Sequence, residues 1–119
     1  MTAPGTHFLL VDSDPRVARA LSEALVNEGV RWQRVSEART ARSLLESASF
    51  DALLLRARSS DPSAAALLES VMQVSPDVPV ILVCAEPDVP EAIRLVHAGA
   101  SDYLRVPFLA EEAVFVLRR

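Results

Sequence analysis

Cysteine, histidine and lysine are scarce or missing in this chain. The single cysteine, Cys84, excludes an intramolecular disulfide framework and a cysteine-built zinc cluster. Two isolated histidines, His7 and His97, offer no metal-ligand spacing, so neither a metal nor a cofactor is expected. Lysine is absent, and every basic residue is an arginine. The start, MTAPGTHFLLVD, has no basic leader, and its apolar run is only four residues long, so neither a signal peptide nor a membrane span is expected there. A cytoplasmic location is the simplest expectation. Positive charge is in the minority, with 12 Lys+Arg against 16 Asp+Glu and a net charge of -4. Phosphate backbones would repel such a domain, so direct nucleic-acid binding is not expected. What the chain does have is apolar residues, half of a total of 119, enough for one domain over residues 1–119 to bury its own core.

The apolar blocks come in a regular order. HFLLV (7–11) reads as a strand that stops at the polar group DSDP. Asp14 before Pro15 is a good N-cap, and Val17, Leu21, Ala24 and Leu25 recur at helical spacing, so a helix is expected over 15–28, stopped by Gly29. A half-buried strand follows over 30–35 and a helix over 36–48 with Ala41, Leu44, Leu45 and Ala48 on one face. FDALLLR supplies a third strand, 63–74 a helix, VPVILVCA (78–85) a fourth strand, PEAIRLVHAG a helix, SDYLRV a fifth strand, and a last helix begins near Leu109. Trp32 and Phe50 are expected to pack, and His97 to sit exposed at a helix end. Strands alternating with helices predict a parallel α/β sheet covered on both faces. In such a sheet the working crevice lies beyond the carboxyl ends of the strands. The third strand, Ala52 to Leu55, should be buried, yet it ends in Arg56, with Arg58 two residues on.

At this point the chain resembles the receiver domain of response regulators. The resemblance rests on FLLVDSDPRVARAL, FDALLLR, VPVILVCAEPD and HAGASDYLRVPF, which cover almost the whole chain in family-like order. It implies a flavodoxin-like (βα)5 fold, a doubly wound five-stranded parallel sheet of order 2-1-3-4-5. It also implies a pocket in which carboxylates hold Mg²⁺ and an aspartate on the third strand takes up a phosphoryl group. Carried over to this sequence, Asp12 keeps the first acidic position and Ser13 occupies the second, with Asp14 beside them. Arg56 stands at the phosphoacceptor position, Cys84 at the switch hydroxyl and Val106 at the lysine, while Tyr103 retains the switch aromatic. A guanidinium is neither a nucleophile nor a metal ligand, so phosphotransfer is expected to be absent. Asp51 precedes the strand and Asp61 lies in the following loop, which makes both poor substitutes.

Two readings of Arg56 follow. In the first it bridges Asp12 through a bidentate pair, shared with Asp14 or the Ser13 hydroxyl, replacing the cation of the solvent by one of the protein. In the second it snorkels outward and pairs with nothing. Cys84 is read as a small core residue that has lost the switch hydroxyl. The resemblance implies a cis peptide before Pro107.

The run AVFVL (113–117) is expected to bury Ala113 and Leu117 and to turn Phe115 and Val116 away from the core. In the family the fourth helix, fifth strand and fifth helix form the output and dimerisation face, so Arg94, Asp102, Phe115, Val116 and Arg118 are candidate interface residues. The other reading makes the patch part of a coiled coil or of a following domain. The expected function is a non-enzymatic pseudo-receiver, the N-terminal part of a longer regulator, that acts through a protein partner or a homodimer. The alternatives are a sensor binding a small anionic or mixed-polarity metabolite in the altered pocket around Ser13, Arg56 and Val106, where Arg56 and Arg58 beside the start of the first helix would suit an anion, the regulatory domain of a transcriptional activator that dimerises constitutively, and a still-active phosphoreceiver using a non-standard residue.

Overall fold

The computed structural model of the chain describes residues 6–26 and 28–118. Five strands, β1 (His7–Val11), β2 (Arg31–Val35), β3 (Ala52–Arg56), β4 (Val80–Ala85) and β5 (Asp102–Val106), alternate with five helices. The helices are α1 (Pro15–Ala24), α2 (Ala38–Ser47), α3 (Ser63–Val74), α4 (Val89–His97) and α5 (Ala110–Arg118), with a single 3-10 turn at Glu86–Asp88 before α4. All strand pairs are parallel and the order is β2-β1-β3-β4-β5, the flavodoxin-like arrangement expected of the sequence.

The side-chain period of two along each strand divides the core. Leu9 and Val11, Leu53 and Leu55, and Leu82 and Cys84 face α2, α3 and α4. Phe8 and Leu10, Leu54, Ile81 and Val83, and Leu104 face α1 and α5. Central strands buried on both sides are apolar along their length, as β4 is throughout and β3 is from Ala52 to Leu55, before Arg56 at its end. Each fully buried leucine contributes on the order of 1.5–3 kcal/mol relative to exposure. The edge strand β2 is half-buried at Trp32 and Val35, and Trp32 meets Phe8 edge-on at 5.4 Å between ring centroids.

The fourth strand and the second helix begin two residues later than expected, at Val80 and Ala38, and two helix ends also differ. The first helix ends at Ala24 rather than Glu28, because Leu25 leaves helical backbone (φ -110, ψ 13) even though its side chain still reaches the core. Ala48 lies past α2 and is exposed, so that helix turns inward Ala41, with Leu44 and Leu45 half-buried. The Val106–Pro107 peptide is cis, as the resemblance implied.

Candidate functional site

Parallel strands bring their carboxyl ends to one edge, and the β1 and β3 ends are neighbours, Val11 standing beside Leu55. One residue further along each strand are Asp12 and Arg56. Asp12 is the one buried charged residue among the described residues, its side chain wholly shielded from solvent. Arg56 reaches it with Nη1, which donates to Oδ2 at 3.2 Å, and is itself only 12% exposed. The pair expected of the sequence is therefore present, and the outward-snorkelling arrangement is not.

The pair is not bidentate. Oδ1 of Asp12 already accepts the Asp14 backbone N–H at 2.9 Å, which leaves one oxygen for Arg56. A second arginine shares the charge: Arg58 Nη2 stands 3.6 Å from Oδ1, an ion pair too long for a hydrogen bond. A third, Arg34 on β2, donates from Nη1 to the Asp12 carbonyl at 2.9 Å. Arg58 was noted in the sequence beside Arg56, but not as a partner of Asp12, and Arg34 was not singled out. The signal was there in register, since Arg34 pairs with Leu10 two residues before Asp12 and Arg58 follows Arg56 at the strand period.

Neither proposed sharer of Arg56 takes part. Asp14 caps α1, accepting the Arg16 N–H at 2.9 Å, and its carboxylate is gripped by Arg16 through Nε and, at 2.8 Å, through Nη2. Those bonds hold its carboxyl at about 2, well below the usual 3.8. Ser13 is exposed and makes no hydrogen bond to Arg56. Asp51 lies at the opposite end of the sheet, where it accepts the His7 N–H at 2.8 Å. Asp61 is turned to the Ser63 N–H at 2.9 Å, which lowers its carboxyl below the ordinary range.

Cys84 is fully buried, and burial pushes its thiol up. Val106 is half-buried against the α1–α5 side, and Tyr103 is half-buried against the other. Next to β4, Asp88 accepts both the backbone N–H and the hydroxyl of Ser59, each at 3.0 Å, clasping the loop after β3 to the turn before α4. The Ser59 N–H is the main cause of a lowered Asp88 carboxyl.

The residues do not fit the divalent cation implied by the resemblance. One carboxylate with two guanidiniums against it repels a cation, and Ser13 and Arg56 supply no further anionic ligand. Among the described residues no group of three or more His, Cys, Asp or Glu is arranged to hold a metal ion.

On the face made by α4, β5 and α5, Phe115 is 64% exposed and Ile93 42%. Val116 is half-buried against the core of the α1–α5 side rather than turned away, because the helix stripe containing Ala113 is wide enough to include it. Arg94 is exposed and tied to Glu91 through Nε and, at 2.6 Å, Nη2. Asp102 is half-buried and accepts the Tyr103 N–H at 2.8 Å. The side chain of Arg118 lies outside the described residues.

The sequence matches the family model described as "Response regulator receiver domain" over residues 8–117. It is 32% identical to the DNA-binding transcriptional regulator NtrC of Salmonella typhimurium, over 92% of this chain and 24% of that protein. It is 30% identical to the C4-dicarboxylate transport transcriptional regulatory protein DctD of Rhizobium meliloti, over 100% of this chain and 26% of that one. The chain thus spans about a quarter of the length of these relatives. Its backbone resembles that of a putative response regulator from Chloroflexus aurantiacus with a TM-score of 0.83 and 27% identity, covering 97% of this chain and 99% of the other.

Proposed function

The chain belongs to the response regulator receiver domain family, and from that membership we propose that it is a non-enzymatic receiver without a phosphorylation switch, acting by protein–protein contact. The observation that carries this reading is Arg56, seated where the resemblance places the phosphoacceptor and bonded to Asp12. Phosphoryl transfer to a carboxylate requires an oxygen free to attack and a cation to gather charge in the transition state. Arg56 has no lone pair to offer. Both oxygens of Asp12 are engaged, and Asp51 and Asp61 are committed elsewhere.

With the switch position filled by a fixed internal cation, the pocket edge has one resting arrangement, reinforced by the Ser59–Asp88 clasp. Output then depends on surface recognition. Phe115 and Ile93, with Arg94 and Arg105 as charged neighbours, are the proposed contact residues for a protein partner or a second copy. That NtrC and DctD are named as transcriptional regulators supports placing this domain in a longer regulator of that kind, with no DNA contact of its own.

Sedimentation over a wide concentration range tests the reading. The association state is expected to be the same with and without Mg²⁺ and acetyl phosphate, and Phe115→Glu is expected to abolish self-association or partner binding. A dimer that forms only with the phosphoryl donor contradicts it.

A further inference from the structure

β2 is the outer strand of the sheet at the end away from β5, and among the described residues no strand lies beyond it. Its hydrogen bonds to β1 fall on alternate residues. The Arg31 N–H donates to the Thr6 carbonyl at 2.7 Å, and the Val35 carbonyl accepts the Asp12 N–H at 3.0 Å. A parallel ladder in that register turns the N–H and C=O groups of Trp32 and Arg34 outward, away from β1. Such a row of backbone donors and acceptors is a template on which an extended chain can add a strand. The side chains say which kind of chain. β2 reads RWQRV, with two arginines and no carboxylate, in a molecule whose formal charge is -4. The strand period puts Arg34 on the face of Trp32 and Arg31 on the opposite one, and both arginines are exposed. Trp32, half-buried, offers an aromatic surface to a β-branched neighbour across the edge. A second copy of the same edge would gather arginines with no carboxylate to match them, so β2 disfavours pairing with itself.

We propose that the outward edge of β2 takes up an extended, acidic segment of a protein partner as an added strand, its carboxylates spaced as Arg31 and Arg34 are. Backbone bonds to Trp32 and Arg34 supply the attachment, and the two arginines, one on each face of the strand, select the charge. Arg34 also donates from Nη1 to the Asp12 carbonyl at 2.9 Å, so occupation of the edge is felt at the end of β1. The contact is separate from the one at Phe115, which stands with β5 at the other end of the sheet. It therefore stands or falls apart from the role given to that face.

The test is titration of the domain with the capped peptide Thr-Glu-Val-Thr-Glu-Val-Thr, followed by amide NMR and by the fluorescence of Trp32, the sole tryptophan. Saturable binding is expected, with shifts centred on residues 31–35 and reaching 12–13, and with slowed hydrogen exchange at the Trp32 and Arg34 amides. Arg31→Glu, at an exposed side chain, is expected to weaken binding at least about tenfold, a loss of about 1.4 kcal/mol. The double variant Arg31→Glu/Arg34→Glu should instead prefer the same peptide with lysine in place of glutamate. Methylating every backbone nitrogen of the peptide prevents a ladder and is expected to abolish binding. The proposal is overturned by no saturable response, by equal binding of the methylated or the lysine peptide to the unaltered domain, or by unaltered affinity in Arg31→Glu. Shifts centred on β5, or tighter binding of an oligonucleotide of the same charge, overturn it as well.

Discussion

Asp12 is buried in the core and paired with Arg56. Removing one partner of a buried pair leaves the other charge uncompensated, which costs about 3–5 kcal/mol. Arg56→Met is therefore expected to destabilise the domain by about that much in urea unfolding, with Arg58 offsetting part of the loss. The double variant Asp12→Asn/Arg56→Met should lose less than the single one, and equal losses would mean the pair is not coupled. A pH prediction follows from Asp14. Its folded pKa, about 2, is depressed below the unfolded 3.8 by Arg16, so its contribution is present above about pH 4 and drains away as pH falls toward 2. Stability should drop over that window, and Asp14→Asn should flatten part of the slope while keeping the cap. At this scale the Asp12–Arg56 pair was legible because the two residues end adjacent strands. The part of Arg58 and Arg34 around Asp12 and the Asp14–Arg16 grip were not foreseen, because which of several arginines reaches a given carboxylate is decided by side-chain direction, not by spacing.

Elements are tied together at a few points outside the core. The Ser59–Asp88 clasp links the segments after β3 and β4, and Asp88→Ala should release both, seen as faster amide hydrogen exchange over 57–61 and 85–89 with the sheet unchanged. Unchanged exchange would mean the loops are held by something else. At the end of α4, Gly99 has φ +129 and lies against the Met72 side chain of α3, where a Cβ would collide with the Met72 sulfur and methyl. Gly99→Ala should cost about 1–3 kcal/mol, and shortening Met72 to alanine in that background should relieve the clash but not the backbone strain. Element type and order were readable from periodicity and caps. The ends were less so: Leu25 continues the apolar spacing of Val17 and Leu21, and spacing says which side a residue faces without saying whether its backbone is still helical. The clasp had no sequence signal, since Ser59 and Asp88 are brought together only by the neighbouring positions of β3 and β4.

The whole molecule is a two-faced sheet whose architecture follows from strands alternating with helices, apolar in the middle of the sheet and half-buried at its edges, and it was legible for that reason. The surface was less legible. Phe115 is exposed as expected, but Val116, its neighbour in an unbroken apolar run, is half-buried, because a run of apolar residues on a helix does not say where the stripe ends. No helix among the described residues is long and apolar enough to cross a membrane. The proposed role rests on a receiver fold whose charge at the phosphoacceptor position is reversed. Intact-mass measurement of the domain after prolonged incubation with Mg²⁺ and acetyl phosphate tests that claim most directly, run beside an unmodified-pocket receiver as a positive control. The account predicts a single unshifted mass for this chain while the control acquires a phosphoryl group. A phosphoryl adduct on this chain, on any of its carboxylates, would contradict it.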